Sequence, residues 1–198
     1  MFQDRCHVAL LQYSSNTDKD ANLKKAFNLA ESAVLQEAQF ILLPEVFNCR
    51  FSESGFDAAS AAEPLDGNSV RQIREFALNH HVVVLIGSMI EKDVDGYVYN
   101  TSILIGDNGE ILGQYRKLHL FNALLDEKII KESKNFTAGD TPHSVVMGAF
   151  KVGLSICYDL RFPELFRHYS DEGVDLLCVP SSFTTPTGQD HWEVLLRA

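Results

Sequence analysis

Three polar residues stand where apolar runs stop. Glu45 follows Phe40-Ile41-Leu42-Leu43-Pro44, Lys117 follows Ile111-Leu112-Gly113-Gln114-Tyr115-Arg116, and Cys157 follows Val152-Gly153-Leu154-Ser155-Ile156. Brought together, a thiol, a carboxylate and an ammonium make an acyl-transfer site. The thiol attacks, the carboxylate takes its proton, and the ammonium stabilises the developing oxyanion. Both charges are needed. A free thiol titrates near about 8.5 and is only slightly ionised at neutral pH. A nearby ammonium favours the thiolate and a nearby carboxylate opposes it. The carboxylate can then serve as base during attack and as acid toward a leaving amine.

Elements with fixed ends must position these groups, and the hydrophobic pattern supplies them. His7–Tyr13 reads as a buried strand. A helix follows from about Asp18, with Leu23, Phe27, Ala30 and Val34 forming one apolar stripe. Gln39–Leu43 is a second buried strand. The stretch Phe47–Gly67 reads as loop, and Asn68 as the cap of a helix facing inward through Val70, Ile73 and Ala77. Val82–Glu91 is a strand, and Tyr97–Ile105 with Ile111–Arg116 a hairpin about Asp107-Asn108-Gly109. Lys117–Thr141 has no clean period and reads as a long loop with at most a helical turn. Loops of that length tend to be functional. Ser144–Met147 and Phe150–Cys157 pair as strands, Pro163 starts a short helix through Tyr169, and Val174–Val179 is a buried strand. Asp190 and Glu193 pattern as a capping box for a last helix carrying Trp192, Leu195 and Leu196. The order β-α-β-α-β-β-β-β-β-α-β-α, with several strands apolar on both faces, is that of layered α/β with helices covering sheet.

The chain has 198 residues, 45% of them hydrophobic, enough for one sizeable core. With 17 basic against 27 acidic residues the formal net charge is −10, which argues against a nucleic-acid or anionic-membrane surface. Cys6, Cys49, Cys157 and Cys178 include no C-x-x-C pair and no zinc-ligand spacing, so no metal is expected. Free thiols and an acid at Asp4, where a signal peptide would be basic, give the expectation of a cytoplasmic protein.

The motifs around the three polar residues resemble those of the nitrilase, or carbon–nitrogen hydrolase, superfamily. The matching segments are Leu42-Leu43-Pro44-Glu45, Tyr115-Arg116-Lys117-Leu118-His119-Leu120, and Gly153-Leu154-Ser155-Ile156-Cys157-Tyr158-Asp159-Leu160-Arg161-Phe162-Pro163-Glu164. Glu132-Ser133 leading to Thr137-Ala138-Gly139 looks like the region of that family's second glutamate, and His191 to Ala198 like the start of a family helix. The resemblance implies a four-layer α-β-β-α sandwich. It implies Cys157 as nucleophile, Glu45 as general base, Lys117 as oxyanion stabiliser, and Glu132 as the group that holds Lys117 and positions substrate or water. On the same resemblance the N–H of Tyr158, just after the nucleophile, is expected as a second oxyanion donor. No cofactor is implied, and the partner is a small-molecule amide. The residues after Cys157 resemble the Nit branch of omega-amidases and deaminated glutathione amidases, whose substrates carry carboxylates. Arg161 is the residue expected to bind one. By the same resemblance a homodimer or larger homo-oligomer is expected, and residues 1–198 correspond to one hydrolase domain incomplete at its C-terminus.

Plainer readings stand beside these. Cys6, Cys49 and Cys178 have no charged partner set and read as small buried hydrophobes. Arg161 could pair with Asp159 or Glu164, and Tyr158 and Phe162 could simply pack. His119 and His191 read as structural. A papain-like hydrolase would place its cysteine at a helix N-terminus with His and Asn downstream, and only His168 and His191 follow Cys157. Two rivals share the same residues: an N-carbamoyl amine hydrolase of the same superfamily, and a non-catalytic fragment that acts as a binding module.

Overall fold

A computed structural model of the chain describes residues 5–50, 57–125 and 128–198. Strand β1 (Val8–Leu10) leads into helix α1 (Lys19–Leu35), whose cap is Asp18; its carboxylate accepts the Ala21 N–H at 3.0 Å. Strand β2 (Phe40–Leu42) follows, then the short helix α2 (Ala58–Ala61), helix α3 (Asn68–His80), and the strands β3 (Val83–Lys92), β4 (Val98–Ile105) and β5 (Ile111–Arg116). These five strands form one sheet in chain order, with β1, β2 and β3 parallel and β3, β4 and β5 antiparallel. Parallel neighbours need crossovers, and the helices supply them. α1 and α3 then cover one face, burying Leu23, Ala26, Ala30, Val70, Ile73 and Ala77.

The second half begins with a small hairpin, β6 (Asn122–Leu125) and β7 (Lys128–Lys131), and a 3-10 turn at Glu132–Lys134. Strands β8 (His143–Met147) and β9 (Phe150–Leu154) pair antiparallel. A 3-10 turn (Cys157–Arg161) and helix α4 (Pro163–Asp171) lead to β10 (Leu176–Cys178), parallel to β9; helix α5 (Thr185–Arg197) follows. The sheets meet face to face. Phe40, Leu85, Leu104 and Tyr115 of the first pack against Val145, Val152 and Leu154 of the second, with Ile156 just beyond β9. Burying such side chains stabilises by about 1.5–3 kcal/mol each. The outer face of the second sheet is covered by α4, whose Tyr169 ring lies over Gly153 and whose hydroxyl donates to the Leu154 carbonyl. The layers are therefore α-β-β-α.

Several local expectations change. β1 is an edge strand rather than a buried one, with Leu10 72% exposed. Asn68 is the first residue of α3 and not its cap; Gly67 holds that position, and the Glu63 carboxylate takes the Ser69 N–H instead. The loop after Phe47 contains α2, while its residues 51–56 lie outside the described residues. The long loop after Lys117 contains the β6–β7 hairpin. α5 starts at Thr185 under a Thr184 cap with Pro186 in its first turn, so Asp190 sits within the helix and caps nothing.

Candidate active site

The Glu45, Lys117 and Glu132 side chains converge at one end of the sandwich. Glu45 leaves β2 through Pro44, and the next residue, Val46, has φ +47°. A β-branched residue in the left-handed region is strained. It is held by the Ser88 hydroxyl, which accepts its N–H at 2.9 Å, and by Ser15, which donates to its carbonyl at 2.8 Å. Gly87, at the irregularity in β3, lets this corner approach. A Cβ there would lie 1.9 Å from the Leu43 carbonyl oxygen.

Lys117 directly follows β5 and is only 2% exposed. Its Nζ lies 3.1 Å from Glu45 Oε1, 3.2 Å from Glu132 Oε1 and 3.0 Å from Glu132 Oε2. Burial alone would lower its pKa, but the carboxylates of Glu45 and Glu132 override that and hold it well above the ordinary range, so the ammonium stays charged. Glu132 Oε2 also accepts the Phe121 N–H at 2.6 Å, and Glu45 Oε2 accepts the Ser182 N–H at 2.7 Å. Asn100 of β4 donates its Nδ2 to Glu45 Oε1 and to Glu132 Oε1, each at 3.2 Å.

Cys157 is the first residue of its 3-10 turn, with φ +48°. Strain at such a corner is of order 1–3 kcal/mol and persists only where its surroundings fix it. Here the Cys157 N–H donates to the Pro180 carbonyl at 2.9 Å. Asp159, fully buried, accepts from the Ile156 N–H at 2.8 Å, the Tyr115 hydroxyl at 2.7 Å and the His119 N–H at 3.0 Å, with His119 Nδ1 2.7 Å away. Burial raises the Cys157 thiol well above its usual pKa and Glu45 adds to that, while Lys117 and the Ser182 N–H oppose it. The resting group is a thiol next to a carboxylate. Burial raises Cys6 and Cys49 as well and pushes Cys178 up to about 12. Among the described residues no charged group acts on Cys6 or Cys178, and the Lys19 and Glu63 charges that act on Cys49 are paired with each other at 2.7 Å.

The same 3-10 turn carries Tyr158 and Arg161 beside the cysteine. Arg161 makes no ion pair among the described residues, so neither Asp159 nor Glu164 holds it. Its guanidinium lies 5.6 Å from the centroids of both the Tyr158 and Phe183 rings. Tyr158 contacts Phe121 and Phe162 edge-on, and Phe162 stacks on His119 at 3.7 Å. His119 is thus structural, joined to Asp159 and Phe162.

Glu45, Lys117, Glu132 and Cys157 are brought together as expected from sequence, with Arg161 and Tyr158 alongside. Asn100, Asp159, Tyr115 and Ser182 were not foreseen. The sequence shows only that Asn100 lies within a strand, and a buried Asn there needs a partner without the pattern saying which. Among the described residues no group of three or more His, Cys, Asp or Glu could hold a metal ion, and no helix is long and apolar enough to cross a membrane.

Residues 7–198 match the family model of the carbon-nitrogen hydrolases. The chain belongs to that family. It is 38% identical over 189 residues to nitrilase homolog 2 of Dictyostelium discoideum, covering 94% of this chain and 57% of that protein. It is 38% identical over 192 residues to omega-amidase NIT2 of Mus musculus, covering 96% of this chain and 68% of the relative. The chain thus spans roughly half to two thirds of the curated relatives it matches. The crystal structure of the C. elegans NitFhit protein superposes with a TM-score of 0.86 at 33% identity, over 97% of this chain and 47% of that one. A carbon-nitrogen hydrolase fold is therefore the frame that holds the four residues.

Proposed function

We propose that the chain is an amidase acting through Cys157, Lys117 and Glu45 on small amides that carry a carboxylate. One observation carries the reading: the charged Lys117 ammonium is buried between Glu45 and Glu132, against a neutral thiol on a strained turn. Glu45 takes the thiol proton as sulfur attacks the amide carbonyl carbon. The oxyanion that forms is stabilised by Lys117 and the Tyr158 N–H. The C–N bond then breaks, Glu45 returns the proton to the leaving nitrogen, and ammonia departs from a Cys157 thioester. Water, deprotonated by Glu45, attacks the thioester; the C–S bond breaks and the thiol is regenerated with a carboxylic acid as product. Glu132 keeps Lys117 in place throughout.

Arg161 supports the carboxylate preference, because a guanidinium beside the nucleophile with no carboxylate partner among the described residues is available for a bidentate pair. The naming of the mouse relative as an omega-amidase supports the same class. The test is ammonia release from 2-oxoglutaramate, 2-oxosuccinamate, deaminated glutathione and N-carbamoyl amines. The reading expects release from the carboxylate-bearing amides. Activity confined to N-carbamoyl amines would reassign the substrate class, and release at the uncatalysed rate from every compound would remove the proposal.

A further inference from the structure

Asn100 is 2% exposed, and its side chain is turned to the catalytic charges rather than to its own needs. Its Nδ2 donates to Oε1 of Glu45 and to Oε1 of Glu132, two of the three carboxylate oxygens that Lys117 touches. Its main-chain carbonyl accepts the Lys117 N–H at 2.9 Å. One residue of β4 therefore fixes the backbone of Lys117 and both carboxylates that flank its ammonium. Among the described residues its Oδ1 has no hydrogen-bond partner. A flipped amide would aim that oxygen at two carboxylates, so the orientation is set by the glutamates. Leaving a buried acceptor unmade is costly, and natural sites tolerate it where another demand outranks it.

We propose that Asn100 is a positioning residue that clamps Glu45 and Glu132 around Lys117 and, through Glu45, governs the Cys157 thiol. The inference rests on the amidase reading of this cluster. The groups facing the clamp are Glu45 from the corner after β2, Glu132 from the 3-10 turn and Lys117 from directly after β5. Those facing the thiol are Glu45, Lys117 and the Ser182 N–H. Among the described residues Asn100 hydrogen-bonds Glu45, Glu132 and the Lys117 N–H and not Cys157, Tyr158 or Arg161, so it should act on the chemical step and not on substrate capture. Its donor partly offsets the Glu45 charge that opposes thiolate formation. Removing it leaves that charge less compensated.

The test is the near-isosteric Asn100→Leu in the full chain, read in two ways. In turnover of 2-oxoglutaramate, kcat should fall about a hundredfold while KM changes by less than about threefold. In alkylation of Cys157 by iodoacetamide at pH 8, the rate should fall about tenfold, and this slowing should vanish in a Glu45→Gln background. Asn48→Leu is the matched control. Asn48 is likewise buried, with an Oδ1 unpartnered among the described residues, but bonds Ser69 and Glu63, so it reports the stability loss alone. Unchanged kcat, or an alkylation slowing that persists undiminished in Glu45→Gln or is matched by Asn48→Leu, would overturn the clamp. If the wild-type chain released no ammonia, the amidase reading would fail, while the alkylation cycle would still decide the role of Asn100. Should Asn100→Leu not fold, Asn100→Ser is read by the same cycle.

Discussion

Arg116 and Lys117 are neighbours in sequence, both basic, both joined to buried carboxylates, and they do different work. Strand alternation sends them to opposite faces. Arg116 forks onto Glu91, with Nε 3.0 Å and Nη2 2.6 Å from its two oxygens, and its guanidinium lies 3.8 Å from the Tyr99 ring centroid. Thr101 also donates to that carboxylate. Both Glu91 oxygens are thus taken up by Arg116 and Thr101. Lys117 is a point charge divided between two glutamates, with a thiol within its field. A planar fork locks its partner, whereas an ammonium leaves its partners room to act. A buried ion pair is thus structural or chemical according to what else its carboxylate can reach.

The largest effect that separates the two is on turnover. Lys117→Ala should lower kcat/KM for 2-oxoglutaramate by more than about a thousandfold, whereas Arg116→Ala should leave it within about threefold. Steady-state ammonia release measures both. Stability should reverse the order for Arg116. Removing its guanidinium leaves Glu91 buried and unpaired, and urea unfolding should show a loss of about 3 kcal/mol. Arg116→Lys should recover only part of it.

Gly87→Ala tests the corner that delivers Glu45. The Cβ would strike the Leu43 carbonyl, so the corner must shift. A stability loss of about 2 kcal/mol should accompany a fall in kcat far larger than any change in KM. Arg161→Ala should raise KM for carboxylate-bearing amides about 10- to 100-fold, the value of a charge-assisted pair, and leave neutral amides unaffected. The smallest effect is on pH dependence. The raised thiol of Cys157 stays protonated in the fold but ionises in the unfolded chain at its ordinary value, near 8.5 to 9. Its contribution to stability is therefore complete below that value and lost as pH rises beyond it. In Cys157→Ala, the decline of the melting temperature between about pH 8 and 10 should be shallower than in wild type.

What was legible in the sequence was whatever announces itself locally. Apolar runs ending at Glu45, Lys117 and Cys157 marked the strand ends, and Asp18 marked the start of α1. Glu132 was visible only by resemblance, since Lys131-Glu132-Ser133-Lys134 has the composition of a solvated loop. The β6–β7 hairpin was missed because Asn122-Ala123-Leu124-Leu125 offers neither alternation nor a turn dipeptide. Asn100 and Asp159 were missed for another reason. Their meaning lies in partners 55 and 44 residues away, Glu45 and Tyr115, and no local pattern encodes such a pairing.

The central claim is that Cys157 forms and breaks the acyl bond. It is tested most directly by ammonia release from 2-oxoglutaramate by Cys157→Ala, on protein whose circular dichroism matches wild type. The predicted result is release at the rate without enzyme. Release at the wild-type rate would contradict it.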